Sequence, residues 1–121
     1  MPTFKAWDVV KVPFPYTDRP VRQHRPAVVV AAGPLEANHG LLWVLMITSA
    51  ENRRWENDVV VSDLDTAGLP APSMVRCAKI ATIVSRDAEA IGSLPTRDRE
   101  KIGSHLARTL GTALKQIASQ R

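Results

Sequence analysis

Apolar residues in this chain change their spacing once, and that change limits what the chain can fold into. Through residue 84 they come in short runs, alternating or uninterrupted, as strands require. Residues 7–14 alternate, with Val10, Val12 and Phe14 on one face and Val9 and Lys11 on the other. Residues 27–32 are continuously apolar and β-branched at Val28, Val29 and Val30, the pattern of a strand buried on both faces. A third run, 41–48, ends at Thr48-Ser49 and contains Trp43, which is therefore expected in the core. Residues 58–61 make a fourth, and 73–84 a fifth in which Val75, Cys77 and Lys79 alternate with Arg76, Ala78 and Ile80. Beyond these, Ile102, Leu106, Leu110, Leu114 and Ile117 recur every three or four residues, as on one face of a helix. Thr96 is its expected N-cap, with Asp98 and Glu100 in the first turn, where the helix dipole favours acids. Gly103 and Gly111 each cost about 1 kcal/mol relative to alanine, so packing must hold this helix, with Leu106 and Leu110 as the expected contacts.

Proline and glycine punctuate the strands. Pro13 and Pro15 cannot donate a backbone N–H and are expected to end pairing of the first strand, followed by a proline- and arginine-rich loop over 15–24. Gly33-Pro34 ends the second strand, and 35–38 read as a turn or a single helical turn. Gly68, Pro70 and Pro72 exclude a long helix from 63–72. No repeat, low-complexity tract or linker divides the sequence, so residues 1–121 read as one α+β, mainly β, barrel-like domain with a docked C-terminal helix.

The single cysteine, Cys77, has no partner for an internal disulfide and sits in a strand pattern, so it reads as a small core or interface residue rather than a nucleophile. Residues 1–7 lack the apolar centre of a signal peptide, and no apolar run approaches the ~20 residues that span a bilayer. The expectation is a soluble, cytoplasmic protein. A net charge of +4 favours anionic partners, and residues 19–25 concentrate it, with Arg19, Arg22, His24 and Arg25 and no acid among them.

Most active-site patterns are missing. The sequence has no glycine-rich phosphate loop, no paired-histidine metal motif and no nucleophile elbow; His24, His39 and His105 are scattered, so no metal or cofactor is implied. What remains is Arg25 at the start of one buried strand and Thr48-Ser49 at the end of another, which neighbouring strands would bring together. A guanidinium offers phosphate a planar fork of donors, and a threonine hydroxyl beside it would stabilise charge growing on phosphoryl oxygen without a metal. Spacing alone favours the plainer reading, in which Arg25 solvates a loop end and Thr48 caps a strand.

The motifs of residues 7–18 (WDVVKVPFPYTD), 25–30 (RPAVVV), 46–49 (MITS) and 67–83, which includes AGLP, SMVR and KIATI, occur in an order and spacing that resemble the MazF/PemK family of toxin ribonucleases. The resemblance covers residues 6–84, and the C-terminal helix fits it. It implies an SH3-like barrel, a homodimer, and an acidic, partly disordered antitoxin that blocks an RNA groove. It also implies metal-independent cleavage of single-stranded RNA by the substrate's own 2′-hydroxyl, leaving a cyclic phosphate. By position Arg25 and Thr48 match the catalytic arginine and threonine; Arg76 matches an assisting arginine, and Ser73 and Ser49 lie in groove-lining segments. Some members carry an aspartate two residues after that arginine; here the position is Ala78, which excludes that variant.

The group that takes the 2′-hydroxyl proton stays open. His24 suits the task as an imidazole, or it only contacts phosphate. Asp18 is expected to hold the loop by pairing with an arginine. Arg19 and Arg22 would supply salt-dependent attraction to the RNA backbone, or simply solvate the loop. Trp55, flanked by Arg53, Arg54, Glu56 and Asn57, is either an exposed anchor for the antitoxin or a ring folded over the barrel edge. The competing function is a non-catalytic binder on the same scaffold, either an inactive nucleic-acid or antitoxin binder or a gyrase inhibitor. The gyrase-inhibiting toxins of this fold act through C-terminal residues including a tryptophan, and this chain has no aromatic residue after Trp55.

Overall fold

A computed structural model describes residues 3–15 and 22–120. The strands are β1 (Asp8–Pro15), β2 (Arg22–Ala31), β3 (Leu41–Ser49), β4 (Asp58–Val60), β5 (Ser73–Val84) and β6 (Glu89–Ser93). Helix α1 (Gly33–His39) follows β2, α2 (Leu64–Ala67) follows β4, and α3 (Thr96–Ser119) ends the chain. The strands form one antiparallel sheet in the order β4-β5-β3-β2-β1-β6. This is the expected mainly-β α+β fold with a C-terminal helix. Its ladder of hydrogen bonds is open, with β4 and β6 as the two edges.

Two glycines let the end of α2 pack against the edge strand β6. Gly68 ends α2 in the left-handed region at φ +73°, where its N–H reaches back to the Asp65 and Leu64 carbonyls. A Cβ on Gly68 would collide with the Ile91 carbonyl, and one on Gly92 would collide with the Ala67 and Thr66 carbonyls. The backbone after β4 therefore packs directly on β6, which only residues without a side chain permit. Asp63 starts α2 by accepting from the Thr66 hydroxyl (2.7 Å) and backbone N–H (3.2 Å), and these bonds hold its carboxyl below the usual range.

The sheet is buried on both faces. Val9, Val28, Leu45, Ile47, Val75 and Cys77 pack with Leu94 and Ile102 on one side; Val10, Val12, Val29, Leu42, Val44 and Met46 pack with Phe4 on the other. The unbroken apolar runs of β2 and β3 follow from this double cover. Opposite Leu45 and Met46, β5 pairs through Ile80 and Arg76, so residues 77–79 are extra in its register with β3. Such an insertion bends a strand.

Several expectations are corrected. Trp43 is not core: it is 42% exposed, paired with Ala31 and Thr82. An uninterrupted apolar run has no alternation to show which positions a neighbour covers. Pro13 and Pro15 do not end the pairing of β1 with β2, which continues to Pro15↔Arg22; the pairing with β6 stops at Lys11. The prolines thus lie where one side of β1 has no ladder partner. The N-cap of α3 is Pro95, and Thr96 is its first residue; no side chain caps it. Instead, buried Asp98 accepts from the Ser62 N–H (2.8 Å) and hydroxyl (3.2 Å), fastening the helix start to the segment after β4. The helix docks through Ile102 and partly buried Leu106, not Leu110, which is exposed along with Leu114 and Ile117. The stripe is periodic throughout, but the helix outruns the surface it packs on. No helix is long and apolar enough to cross a membrane among the described residues.

Thermal and urea unfolding test this arrangement. Ile102→Ala should cost about 2–5 kcal/mol and Gly92→Ala about 1–3 kcal/mol, from a core cavity and a backbone collision respectively. Leu114→Ala should stay within about 0.5 kcal/mol; a loss as large as that of Ile102→Ala would contradict the docking described.

Candidate functional site

Where β2 begins, β3 ends and β5 begins, the sheet borders a cavity of about 710 Å³. Its polar side carries Lys11, His24, Arg25, Thr48, Ser49, Asn52 and Ser73, and Ile47, Leu69, Pro70, Pro72 and Ile91 form the apolar side. Strand register accounts for the meeting of Arg25 and Thr48. The β2–β3 ladder ends at the pair Ala27↔Met46, so Arg25 and Thr48 each lie two residues beyond it on their strands, and both line the cavity. The two residues thus come from neighbouring strands, and Leu69, Pro70 and Pro72 from the segment after α2.

Thr48 is nearly buried, and its Oγ1 accepts from Asn52 Nδ2 at 2.6 Å. Ser73 is equally buried and donates its hydroxyl to the Ala71 carbonyl at 2.8 Å, so it shapes the loop that walls the cavity. Arg25 is half-buried and His24 exposed, both lining the cavity. The one ion pair among the described residues lies elsewhere, between Arg76 and Asp58. Arg25 therefore faces the cavity without a carboxylate partner among the described residues. The lining suits an anionic ligand: a planar cation, a hydroxyl and an exposed imidazole among apolar residues.

Not all sequence candidates gather here. Arg76 does not line the cavity. Its Nη2 lies 3.0 Å from an Asp58 carboxylate oxygen and donates to the Arg53 carbonyl at 2.8 Å, and its guanidinium stacks 3.8 Å from the centroid of Trp55. The Asp58 carboxylate is fully buried and also accepts the Trp55 N–H at 2.8 Å. Trp55 is 44% exposed, and one face of its ring is covered by the Arg76 guanidinium. Arg22 opens β2, while Arg19 and Asp18 lie outside the described residues. Sequence reasoning missed Asn52 and Lys11. Nothing in the charged stretch 51–58 marks Asn52 off from Asn57, and its hydrogen bond depends on how the turn folds. Among the described residues, no three His, Cys, Asp or Glu side chains come together as metal ligands would.

Cys77 lies in the core, and burial, with the Asp58 charge adding to it, pushes its thiol up to about 11. It is almost wholly protonated at neutral pH and poorly suited to nucleophilic attack. Asp58→Asn should lower stability by about 3–5 kcal/mol in urea unfolding, since it strands a guanidinium only 11% exposed. A neutral result would mean that solvent already screens Arg76.

Comparisons with known proteins bear on the family and the fold. The chain matches the PemK-like, MazF-like toxins of type II toxin–antitoxin systems over residues 5–110. Among curated proteins, comparison by sequence finds no significant match. Among solved structures, MazF (Form-I) of Deinococcus radiodurans is 19% identical with a TM-score of 0.72, covering 92% of this chain and 99% of that one. An endoribonuclease from a Mycobacterial species, in complex with its cognate antitoxin, is 18% identical with a TM-score of 0.68, over 88% of this chain and 93% of that one. The toxin MazF-mt6 of Mycobacterium tuberculosis is 20% identical with a TM-score of 0.62, over 84% and 95%. At such identities the structural likeness speaks for the fold alone, whereas the family match spans most of the sequence. The chain belongs to the PemK/MazF family of type II toxin–antitoxin toxins.

Proposed function

We propose that this toxin is a metal-independent endoribonuclease that cuts single-stranded RNA at the cavity between β2, β3 and β5. The observation that carries the reading is the convergence of Arg25 and Thr48, from two different strands, on one cavity that also holds His24. The guanidinium of Arg25 binds the scissile phosphate through its fork of N–H donors. The substrate 2′-oxygen attacks phosphorus, the bond to the 5′-oxygen breaks, and the products are a cyclic phosphate and a 5′-hydroxyl. Charge grows on the non-bridging oxygens as this happens, and donation from Thr48 and Arg25 stabilises it. His24, exposed at the rim, either takes the 2′-hydroxyl proton or holds a neighbouring phosphate. Arg19, Arg22 and Lys11 add sequence-independent attraction to the RNA backbone. Ser49 and Ser73 line the groove, and Arg76 acts through the loop it anchors.

The partner in this reading is an acidic, partly disordered antitoxin that occupies the groove, and the working toxin is a cytoplasmic homodimer. Support for the antitoxin comes from solved MazE–MazF complexes of Deinococcus radiodurans and the mycobacterial complex. Support for the dimer comes from apolar surface left open at Trp43, Ile80 and Val84.

Two measurements test the proposal. Cleavage of single-stranded RNA should persist in excess EDTA, leave cyclic-phosphate ends, and fail where the cut position carries deoxyribose. Thr48→Val should lose about 10²–10³ in rate. Arg25→Lys, which keeps the charge and loses the fork, should also be severely impaired. His24→Ala separates its two roles: a large loss with normal folding marks proton transfer, a small one phosphate contact. Cleavage by folded Arg25→Ala, or strict magnesium dependence, would overturn the mechanism; binding of RNA without cleavage would favour the non-catalytic binder. Separately, Trp55 fluorescence should change when the cognate antitoxin binds, and an antitoxin that blocks cleavage without disturbing Trp55 would remove this residue from its path.

A further inference from the structure

Asn52 makes a contact that bears directly on the Thr48 hydroxyl. A hydroxyl has one proton to give and two lone pairs that accept. Asn52 Nδ2 occupies one lone pair of Thr48 Oγ1 at 2.6 Å, so the Thr48 proton is directed away from Asn52. Among the described residues no protein acceptor takes that proton, and both side chains line the cavity beside Arg25. Asn52 is itself held in place. Its backbone N–H donates to the Ser49 carbonyl at 3.1 Å, and the Glu51 N–H donates to Ser49 Oγ at 3.2 Å. The Ala50 N–H donates to the Pro72 carbonyl at 3.0 Å, tying this turn to the loop that walls the cavity.

We propose that Asn52 is a positioning residue that fixes the Thr48 hydroxyl as a donor toward the phosphoryl oxygen of RNA bound at Arg25. The inference rests on the ribonuclease reading of the cavity. Asn52 touches no reacting atom. It sets the polarity of a single hydrogen bond, and donation into Thr48 Oγ1 also strengthens the bond that Thr48 makes onward, since consecutive hydrogen bonds polarise one another. With the polarity reversed, the Thr48 proton would point at residue 52 and the phosphate would lose a donor at the stage when its charge grows.

The test is single-turnover cleavage at saturating RNA, with Asn52→Ala and Asn52→Asp made in the wild-type and Thr48→Val backgrounds. Asn52→Asp keeps the shape but, when ionised, only accepts, so it captures the Thr48 proton. In the wild-type background Asn52→Ala should slow cleavage by about 10-fold, and Asn52→Asp by about 10²-fold or more, approaching loss of the Thr48 donor. KM for RNA should change little in Asn52→Ala. In the Thr48→Val background Asn52→Ala should cause no further loss, because the two residues act as a unit. Equal losses in both backgrounds, as a misfolded turn would give, or wild-type rates for both variants while Thr48→Val is impaired, would overturn the inference and leave the ribonuclease reading standing. Absence of cleavage by the wild-type protein would overturn that reading and this inference with it.

Discussion

At Gly68 and Gly92 two stretches of backbone approach so closely that neither position has room for a Cβ. The hydrogen-bonded ladder ends at β4 on one side and at β6 on the other, and this contact packs the end of α2, the helix that follows β4, onto β6. The consequences run directly to the cavity. Leu69, Pro70 and Pro72 leave Gly68 to form its apolar wall, and Ile91, beside Gly92, completes it. A side chain at either glycine would push this wall off the end of β3, where Thr48 sits. Close packing transmits such a displacement instead of absorbing it.

A second constraint holds the loop between β3 and β4. Buried Asp58 gathers the Arg76 guanidinium, the Trp55 N–H and, through its carbonyl, Arg54. A buried ion pair contributes little net stability compared with an apolar pair of the same shape, but it is costly to break and therefore fixes geometry. Here it fixes residues 53–58, the stretch that follows the turn placing Asn52 on Thr48. The two arginines that resemblance brings forward thus have different work. Arg76 is consumed in holding the loop, while Arg25 faces the cavity. A cation with its counter-charge already buried beside it has little left to offer a phosphate, whereas one aimed into a cavity offers its whole fork.

Much of the fold was legible in the residues. The run at 27–32 marked a strand buried on both faces and that at 41–48 a further apolar strand, Gly68, Pro70 and Pro72 excluded a long helix from 63–72, and the periodic stripe marked α3. Thr48 was legible as a residue near the end of its strand, whereas Arg25, read as the start of a strand, is the fourth residue of β2, because pairing with β1 extends back to Arg22. The short strand β6 was not legible, since Glu89–Ser93 is too brief and too mixed to carry a period. Trp43 and Leu110 were misplaced for a shared reason. Hydrophobicity states what a side chain gains from cover, not whether a neighbour reaches far enough to give it.

The sequence by itself determined the local chemistry: which segments extend or coil, where pairing loses a donor, and which side chains are able to bind phosphate. Those properties belong to single residues and their near neighbours along the chain. Tertiary structure alone decided that Arg76 pairs with Asp58 while Arg25 faces the cavity, that Asn52 donates to Thr48, and that α3 docks by its first turns and leaves the rest uncovered. Each of those outcomes depends on strand register and on contacts between segments distant in sequence, whose energies are set by geometry that no local pattern encodes.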